Sequence, residues 1–235
     1  MSARVRIAVL FPSTGLIDGE ICDMAEERGA DAVIFKVAPR RVATAADAAD
    51  VAAMTMEMGA PALLAEVARQ AADAAPDVIA WACTSGSFLT GADVRPTQVE
   101  AMSAAVGGRP ATTTSVAVLE ALRTRDVGRV VAVTPYHPSI GRRFVEFLLR
   151  NGIDVLGEAH AGCGSDEQVG ALELDEILRL VGRAHSPDAQ AIVIPCTALR
   201  RRTLETDVPA RFGVPVVLAN AATLDHAVRL AKAGR

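Results

Sequence analysis

Aromatic side chains are scarce in this sequence: one tryptophan, one tyrosine and six phenylalanines in 235 residues. Nucleic-acid binding draws on aromatic platforms and an electropositive surface. The net charge here is −4 and no long basic run occurs, so no nucleic-acid partner is expected. The four cysteines, Cys22, Cys83, Cys163 and Cys196, include no close pair. That spacing argues against both a disulfide framework and a zinc site. The four histidines fall in no HxxxH or HExxH arrangement. No apolar run approaches the roughly 20 residues needed to cross a bilayer, although 51% of the chain is hydrophobic. The opening "MSARVRIAVLFPSTG" has too short an apolar stretch for a signal peptide and reads as a first strand. A soluble cytoplasmic protein without a membrane partner is expected. Neither GxGxxG nor GxxxxGK[ST] is present, and "GCGSDEQVG" (162–170) has its third glycine displaced for a dinucleotide loop. No metal and no organic cofactor are expected.

Short apolar runs alternate with alanine-rich helical patterns. Strands are expected at 6–11, 31–37, 77–82 and 111–114, and again at 129–134, 153–157, 190–195 and 215–219. Helices are expected over 19–29, 60–75, 142–152, 174–185 and 221–234, with Gly152 and Gly234 as C-terminal stops. Uninterrupted apolar strands between helices imply parallel sheets covered on both faces.

The second half resembles a diverged copy of the first. "RIAVLFP" matches "RVVAVTP", "VIAWACTSGS" matches "IVIPCTALR", and "GRPATTTSVAVLEAL" matches "GVPVVLANAATLDHA" without a gap. The last match aligns Ser115 with Asn220 and Leu119 with Leu224. Ordered internal similarity of this kind points to duplication. The expected fold is α/β: two pseudo-symmetric lobes, each with a four-stranded parallel sheet flanked by helices, and a cleft between them. The lobes are expected at 1–126, holding Cys83, and 127–235, holding Cys196, with the last helix able to pack back onto the first lobe.

Both Cys-Thr motifs, in "WACTSGSF" (81–88) and "PCTALR" (195–200), follow a strand's carboxyl end. Open α/β sheets bind ligands along that edge. Each motif also precedes a helical pattern, whose free N–H groups and dipole would lower a thiol pKa. Fast alkylation of both thiols near neutral pH would follow. Two thiols facing one carbon can pass a proton from one face to the other, or add to an activated double bond while the second governs the proton. Cys83 and Cys196 are therefore the candidate catalytic pair. Thr84, Ser85, Thr197 and Ala198, through hydroxyls and backbone N–H groups, are candidates to hold a carboxylate. Cys22 and Cys163 are expected to be small packing residues, and Trp81 a core residue.

These residues resemble the aspartate/glutamate racemase superfamily, and within it the branch of maleate cis-trans isomerases and arylmalonate decarboxylases. "ACTSGSF" and "PCTALR" are similar to the two cysteine motifs of the isomerases. "VVAVTPYHPSIGRRFVEFL" resembles the segment that supplies an active-site tyrosine, here Tyr136. "VLFPSTG" resembles the first-strand loop that binds a substrate carboxylate, which implies Pro12, Ser13 and Thr14. Arylmalonate decarboxylases resemble this pattern with a single cysteine, in the second lobe; this chain has both. Amino-acid racemases usually carry an acid in the first loop, which here reads "FPSTG". Maleate isomerases typically carry an asparagine there, and another where this chain has Glu167. An acid at that second place would repel a substrate carboxylate unless protonated, which implies a substrate other than maleate, or one with only one carboxylate on that side. The resemblance thus implies a cofactor-independent isomerase of a small carboxylate, such as maleate or a related enedioate. A racemase, an arylmalonate-type decarboxylase and a non-catalytic small-molecule binder are the alternatives. A homodimer is a weaker implication. His137 and Arg200 to Arg202 are expected on the surface, the three arginines along a helix. The methionine-rich stretch 54–58 is read equally as a lid or as core packing.

Overall fold

The structure, a computed structural model, describes residues 4–14, 18–39, 48–90 and 94–234. Gly15 of the first loop lies outside them. The first sheet is built from β1 (Val5–Pro12), β2 (Ala30–Val37), β3 (Val78–Trp81) and β4 (Ala111–Thr113). The second is built from β5 (Arg129–Tyr136), β6 (Asp154–Cys163), β7 (Ala191–Ile194) and β8 (Val216–Leu218). Their strand orders are β2-β1-β3-β4 and β6-β5-β7-β8, the same arrangement twice, with all pairings parallel. The expected two four-stranded parallel sheets are present, and each Cys-Thr follows the third strand of its own sheet.

The central strands show why sequence alone marks them. β1 and β5 are each paired on both sides and covered on both faces, so they are almost wholly buried and almost wholly apolar. β6, at a sheet edge, alternates exposed with partly buried residues and runs on to Cys163, beyond the expected five. It also takes a register shift against β5 near Tyr136.

Helices α1 (Asp18–Glu27), α2 (Ala48–Met58), α3 (Pro61–Ala71), α4 (Thr84–Phe88), α5 (Val94–Ala105) and α6 (Thr114–Arg123) belong to the first half. The second half carries α7 (Pro138–Arg150), α8 (Asp166–Ala171), α9 (Leu174–Ala184), α10 (Leu204–Phe212) and α11 (Ala219–Ala233). Helix α7 starts four residues before the apolar pattern does, because Pro138 fits the first helical position and His137 accepts the Ser139 N–H. It stops at Gly152, left-handed at φ 77°, where the N–H groups of Gly152 and Ile153 close back onto Leu149 and Leu148. Gly234 caps α11 in a right-handed conformation instead.

The last helix of each half packs onto the other half's core. Ala117, Val118, Leu119 and Leu122 of α6 join the buried cluster built on β5 and β7. Leu224, Ala227 and Ala231 of α11 join the cluster of β1, β3 and α1. Helices α6 and α11 also pack against each other. A division after residue 126 therefore separates the two sheets without separating the two cores. Asp126 itself is left-handed, at φ 53°, between α6 and β5. Among the described residues no single helix is long and apolar enough to cross a membrane.

Because α11 bridges both halves, Leu224→Ala is expected to cost about 2–5 kcal/mol. The fluorescence of Trp81, in the first half, and the far-UV circular dichroism of the whole chain should report one shared, lowered urea midpoint. Two separated transitions would show that the halves unfold independently.

Candidate active site

Strand β3 ends at Trp81 and delivers Cys83 as the N-cap of α4. Four of the five α4 residues are Thr, Ser or Gly, poor helix formers. Capping closes this single turn: the Cys83 Sγ accepts the Gly86 N–H at 3.3 Å, and the Ser87 hydroxyl donates to the Cys83 carbonyl at 2.9 Å. A side chain at Gly86 would crowd the nucleophile candidate and the core tryptophan. A Cβ on it would stand 3.0 Å from the Trp81 ring and 3.1 Å from the Cys83 sulfur. Ser85 Oγ lies 3.8 Å from the same sulfur.

The second motif is built differently. No helix follows Cys196; residues 197–203 are turns, and α10 starts only at Leu204. The arginines Arg200 to Arg202 therefore lie on no helix face. Arg202 instead pairs with Glu27 of α1 across the two halves, and Arg201 donates to the Leu172 carbonyl and meets Glu173. Cys196 itself has φ 123°, a conformation that L-residues seldom adopt and that costs about 1–3 kcal/mol.

Both motifs are held from behind in the same way. Ser115 Oγ donates to the Thr84 carbonyl at 3.3 Å, and Asn220 Nδ2 donates to the Thr197 carbonyl at 3.2 Å. These are the two residues that the internal repeat aligns. Their helices are tied in turn by Thr223 Oγ1 donating to Thr114 Oγ1 at 3.0 Å. Thr197 Oγ1 donates to the carbonyl of Ala82, just before Cys83, at 3.2 Å. Its proton is thus spent between the halves, while Thr84 Oγ1 is buried without a partner.

One cavity of about 520 Å³ opens over these turns. All the residues singled out from the sequence line it: Cys83 and Cys196, Pro12, Ser13 and Thr14, Thr84 and Ser85, Tyr136, Thr197 and Ala198. Tyr136 is buried at the end of β5 beside Phe88, and its hydroxyl makes no hydrogen bond of ordinary geometry. Burial, then the two neighbouring thiols, raise its pKa well above the ordinary phenol value. Met54 and Met58 of α2 line the same cavity, and Met58 is also packed into the core, so the stretch is both wall and filler. His137 is exposed, as expected, and Cys22 is a half-buried helix residue near the Ala32 carbonyl.

Three expectations are corrected. The helix expected directly after Cys196 is absent. Cys163 does pack against the core as expected and, half-buried, also reaches the cavity wall, because β6 runs farther than its apolar core suggests. The acid whose charge bears on both thiols is Asp166; Glu167, one residue on, lines the same cavity, as the resemblance implies, but is exposed. The turn from β6 into α8 sets this geometry: Ser165 accepts the Gln168 N–H at 3.3 Å, and the Gln168 side chain accepts the Gly164 N–H at 2.7 Å. Asp166 is thereby held where Thr14 Oγ1, from the first half, donates to it at 2.7 Å. A Ser-x-x-Gln spacing after the strand was the available signal for that turn.

The third correction is electrostatic. The thiols were expected to ionise easily, but burial pushes the Cys83 thiol up to about 12, with Asp166 adding to the rise and the Gly86 N–H and Ser85 hydroxyl opposing it. Cys196 is pushed up further by burial and Asp166, against the Ala198 N–H and Tyr136. One short turn gives too little positive potential to offset desolvation of a buried thiolate.

Comparison with known proteins follows the same lines. The profile of the arylmalonate decarboxylase family matches residues 61–235. The arylmalonate decarboxylase of Bordetella bronchiseptica is 33% identical over 159 residues, 67% of this chain and 66% of that protein. The matched stretch thus spans just under two thirds of that relative. The maleate isomerase of Nocardia farcinica is 28% identical over 176 residues, 70% of each chain. A solved Cys-to-Ser variant of the Nocardia farcinica maleate cis-trans isomerase, with a covalently bound succinylcysteine intermediate, superposes with a TM-score of 0.82. That structural match covers 97% of this chain and 93% of the other at 21% identity, a likeness of fold.

A thiol ionising near about 12 carries roughly a thousandth of the thiolate of an ordinary cysteine at neutral pH. Iodoacetamide at pH 7.5 is therefore expected to label Cys22 and Cys163 first and Cys83 and Cys196 last, as read by peptide mass spectrometry. Early labelling of Cys83 would contradict the buried, protonated state.

Proposed function

The chain belongs to the arylmalonate decarboxylase family, and from that premise we propose that it is an isomerase. Two thiols act on a small carboxylate without a metal or organic cofactor. The carrying observation is that Cys83 and Cys196, on matched strand ends of two like sheets, line one cavity with Tyr136. Cis-trans isomerisation of maleate or a related enedioate is the reaction this arrangement supports best.

Cys83 is the nucleophile in this reading. It caps α4, where the Gly86 N–H donates to its sulfur at 3.3 Å and the Ser85 hydroxyl lies 3.8 Å away, and both favour its thiolate. After its proton leaves to solvent, the Cys83 sulfur forms a C–S bond to one alkene carbon. The π electrons move to the other carbon, which takes the proton of the Cys196 thiol. The former double bond is now single and rotates. The Cys196 thiolate then removes the other hydrogen of that carbon as a proton, the C–H electrons re-form the double bond, and the C–S bond breaks to return the Cys83 thiolate. Nothing is consumed. The succinylcysteine seen in the Nocardia isomerase is an adduct of this kind and supports the route. One carboxylate is held by Thr84 and Ser85 and by the backbone N–H groups of Thr197 and Ala198, with Ser13 and Thr14 beside Pro12 on the facing wall. Tyr136, with its free hydroxyl, donates to the carboxylate as charge builds on it.

A second reading, decarboxylation of an arylmalonate, is favoured by the 33% identity to the Bordetella enzyme. Racemisation by proton transfer between the two thiols is a third. Proton NMR in D2O with maleate, the aspartate enantiomers and phenylmalonate separates them. Fumarate from maleate supports the isomerase, loss of carboxylate from phenylmalonate supports the decarboxylase, and deuterium at an α-carbon with the skeleton intact supports the racemase.

For the isomerase, Cys83→Ala and Cys196→Ala should each lower kcat by about a thousandfold or more, with circular dichroism unchanged. Either variant keeping full activity would sink the two-thiol route.

The active form of free enzyme is the ionised Cys83, and ionisation grows as pH rises towards about 12. Hence kcat/KM should climb about tenfold per pH unit between pH 7 and 9. A plateau below pH 8 would mean that another group sets the rate.

A further inference from the structure

We infer that the far end of the substrate is an N–H donor rather than a second carboxylate: the site takes the half-amide of a cis-enedioic acid, with an apolar group on the amide nitrogen. The inference rests on the isomerase reading and narrows its substrate class.

Three features of the cavity carry it. The first is polarity at its floor and at its rim. On the buried floor, beside the thiols, the unpartnered groups are hydroxyls, Thr84 Oγ1 and Tyr136 Oη, which can donate to a carboxylate. Towards the more exposed rim stand the carboxylates of Asp166, held by Thr14 across the two halves, and of its neighbour Glu167, which as carboxylates can only accept. A carboxylate brought against Asp166 meets like charge in a half-buried setting. An amide N–H brought there gains a charge-assisted hydrogen bond.

The second feature is size. A cavity of about 520 Å³ lies in the range that encloses drug-sized ligands, well beyond a four-carbon diacid. Its added wall is apolar, with Val51, Met54 and Met58 from α2, Ile140 from α7 and Val169 from α8. Methionines suit an apolar group of variable shape. The third feature is the field at the reacting atoms. Asp166 opposes ionisation of both thiols, and an N–H donor bound to it weakens that opposition. A second carboxylate would strengthen it.

The test separates binding from turnover. Calorimetry would compare succinate with N-butylsuccinamate, saturated stand-ins that cannot react, on the full chain and on Asp166→Asn. The asparagine keeps an oxygen for Thr14. The wild type is expected to bind N-butylsuccinamate at least tenfold more tightly than succinate. Asp166→Asn is expected to cut that ratio at least fivefold, mainly by improving succinate. Equal or tighter succinate binding by the wild type, or no binding of N-butylsuccinamate at millimolar concentration, overturns the inference. So does an unchanged ratio in the variant; if the variant does not fold, the wild-type ratio alone decides. In parallel, NMR would follow maleate and N-butylmaleamate. A binding preference for the half-amide with neither compound isomerised would refute the isomerase reading and, with it, the half-amide as substrate, leaving only a ligand preference set by Asp166. Rapid conversion of maleate with no half-amide preference would support the isomerase reading and overturn the inference.

Discussion

The two cysteines can share one cavity because their supporting turns are bolted to each other through buried hydrogen bonds. Ser115 and Asn220 hold the carbonyls of Thr84 and Thr197 from behind, and Thr197 holds the carbonyl of Ala82 across the halves. All of these groups are almost fully buried, so each lost bond takes a partner from a desolvated carbonyl, although that of Thr84 keeps the Ser87 hydroxyl at 2.8 Å. That cost helps to fix the relative position of the two sulfur atoms. The reciprocal exchange of α6 and α11 between the cores serves the same end, because neither sheet can shift without disturbing a helix that belongs to both.

Within this frame the two motifs are alike in sequence and unlike in chemistry. Cys83 caps a turn and accepts a backbone N–H, so its sulfur sits where negative charge is partly met. Cys196 sits in a strained backbone without a helix after it, close enough to Tyr136 for the phenol to influence its ionisation. Duplication supplied two similar strand ends, and their divergence is what lets one thiol differ from the other. A site with one group easier to ionise and one harder is the arrangement that divides nucleophile from acid. Burial keeps both thiols protonated, and the Asp166 charge adds to that effect on each of them.

Much of this was legible in the amino-acid order. The eight strands stood out because buried parallel strands must be apolar throughout, and the repeat aligned Ser115 with Asn220 before any contact was known. The helix expected after Cys83 is present as the short α4, whose poor helix formers are stabilised by a cap and a buried setting, whereas the one expected after Cys196 is absent. The place of Asp166 was missed because β6 is an edge strand, whose end is marked by no apolar run. The arginines after Cys196 looked helical in pattern, yet they answer to partners on α1 and beside α9.

The sequence by itself determined the two like sheets, the strand-end positions of Cys83 and Cys196 and the residues behind them, because apolar periodicity and internal repetition are local properties. Only the tertiary structure decided how acidic the thiols are, which acid faces them and how large the cavity is. Those quantities are set by desolvation and by charges brought together from distant parts of the chain, and nothing in the spacing of residues encodes a distance across a cleft.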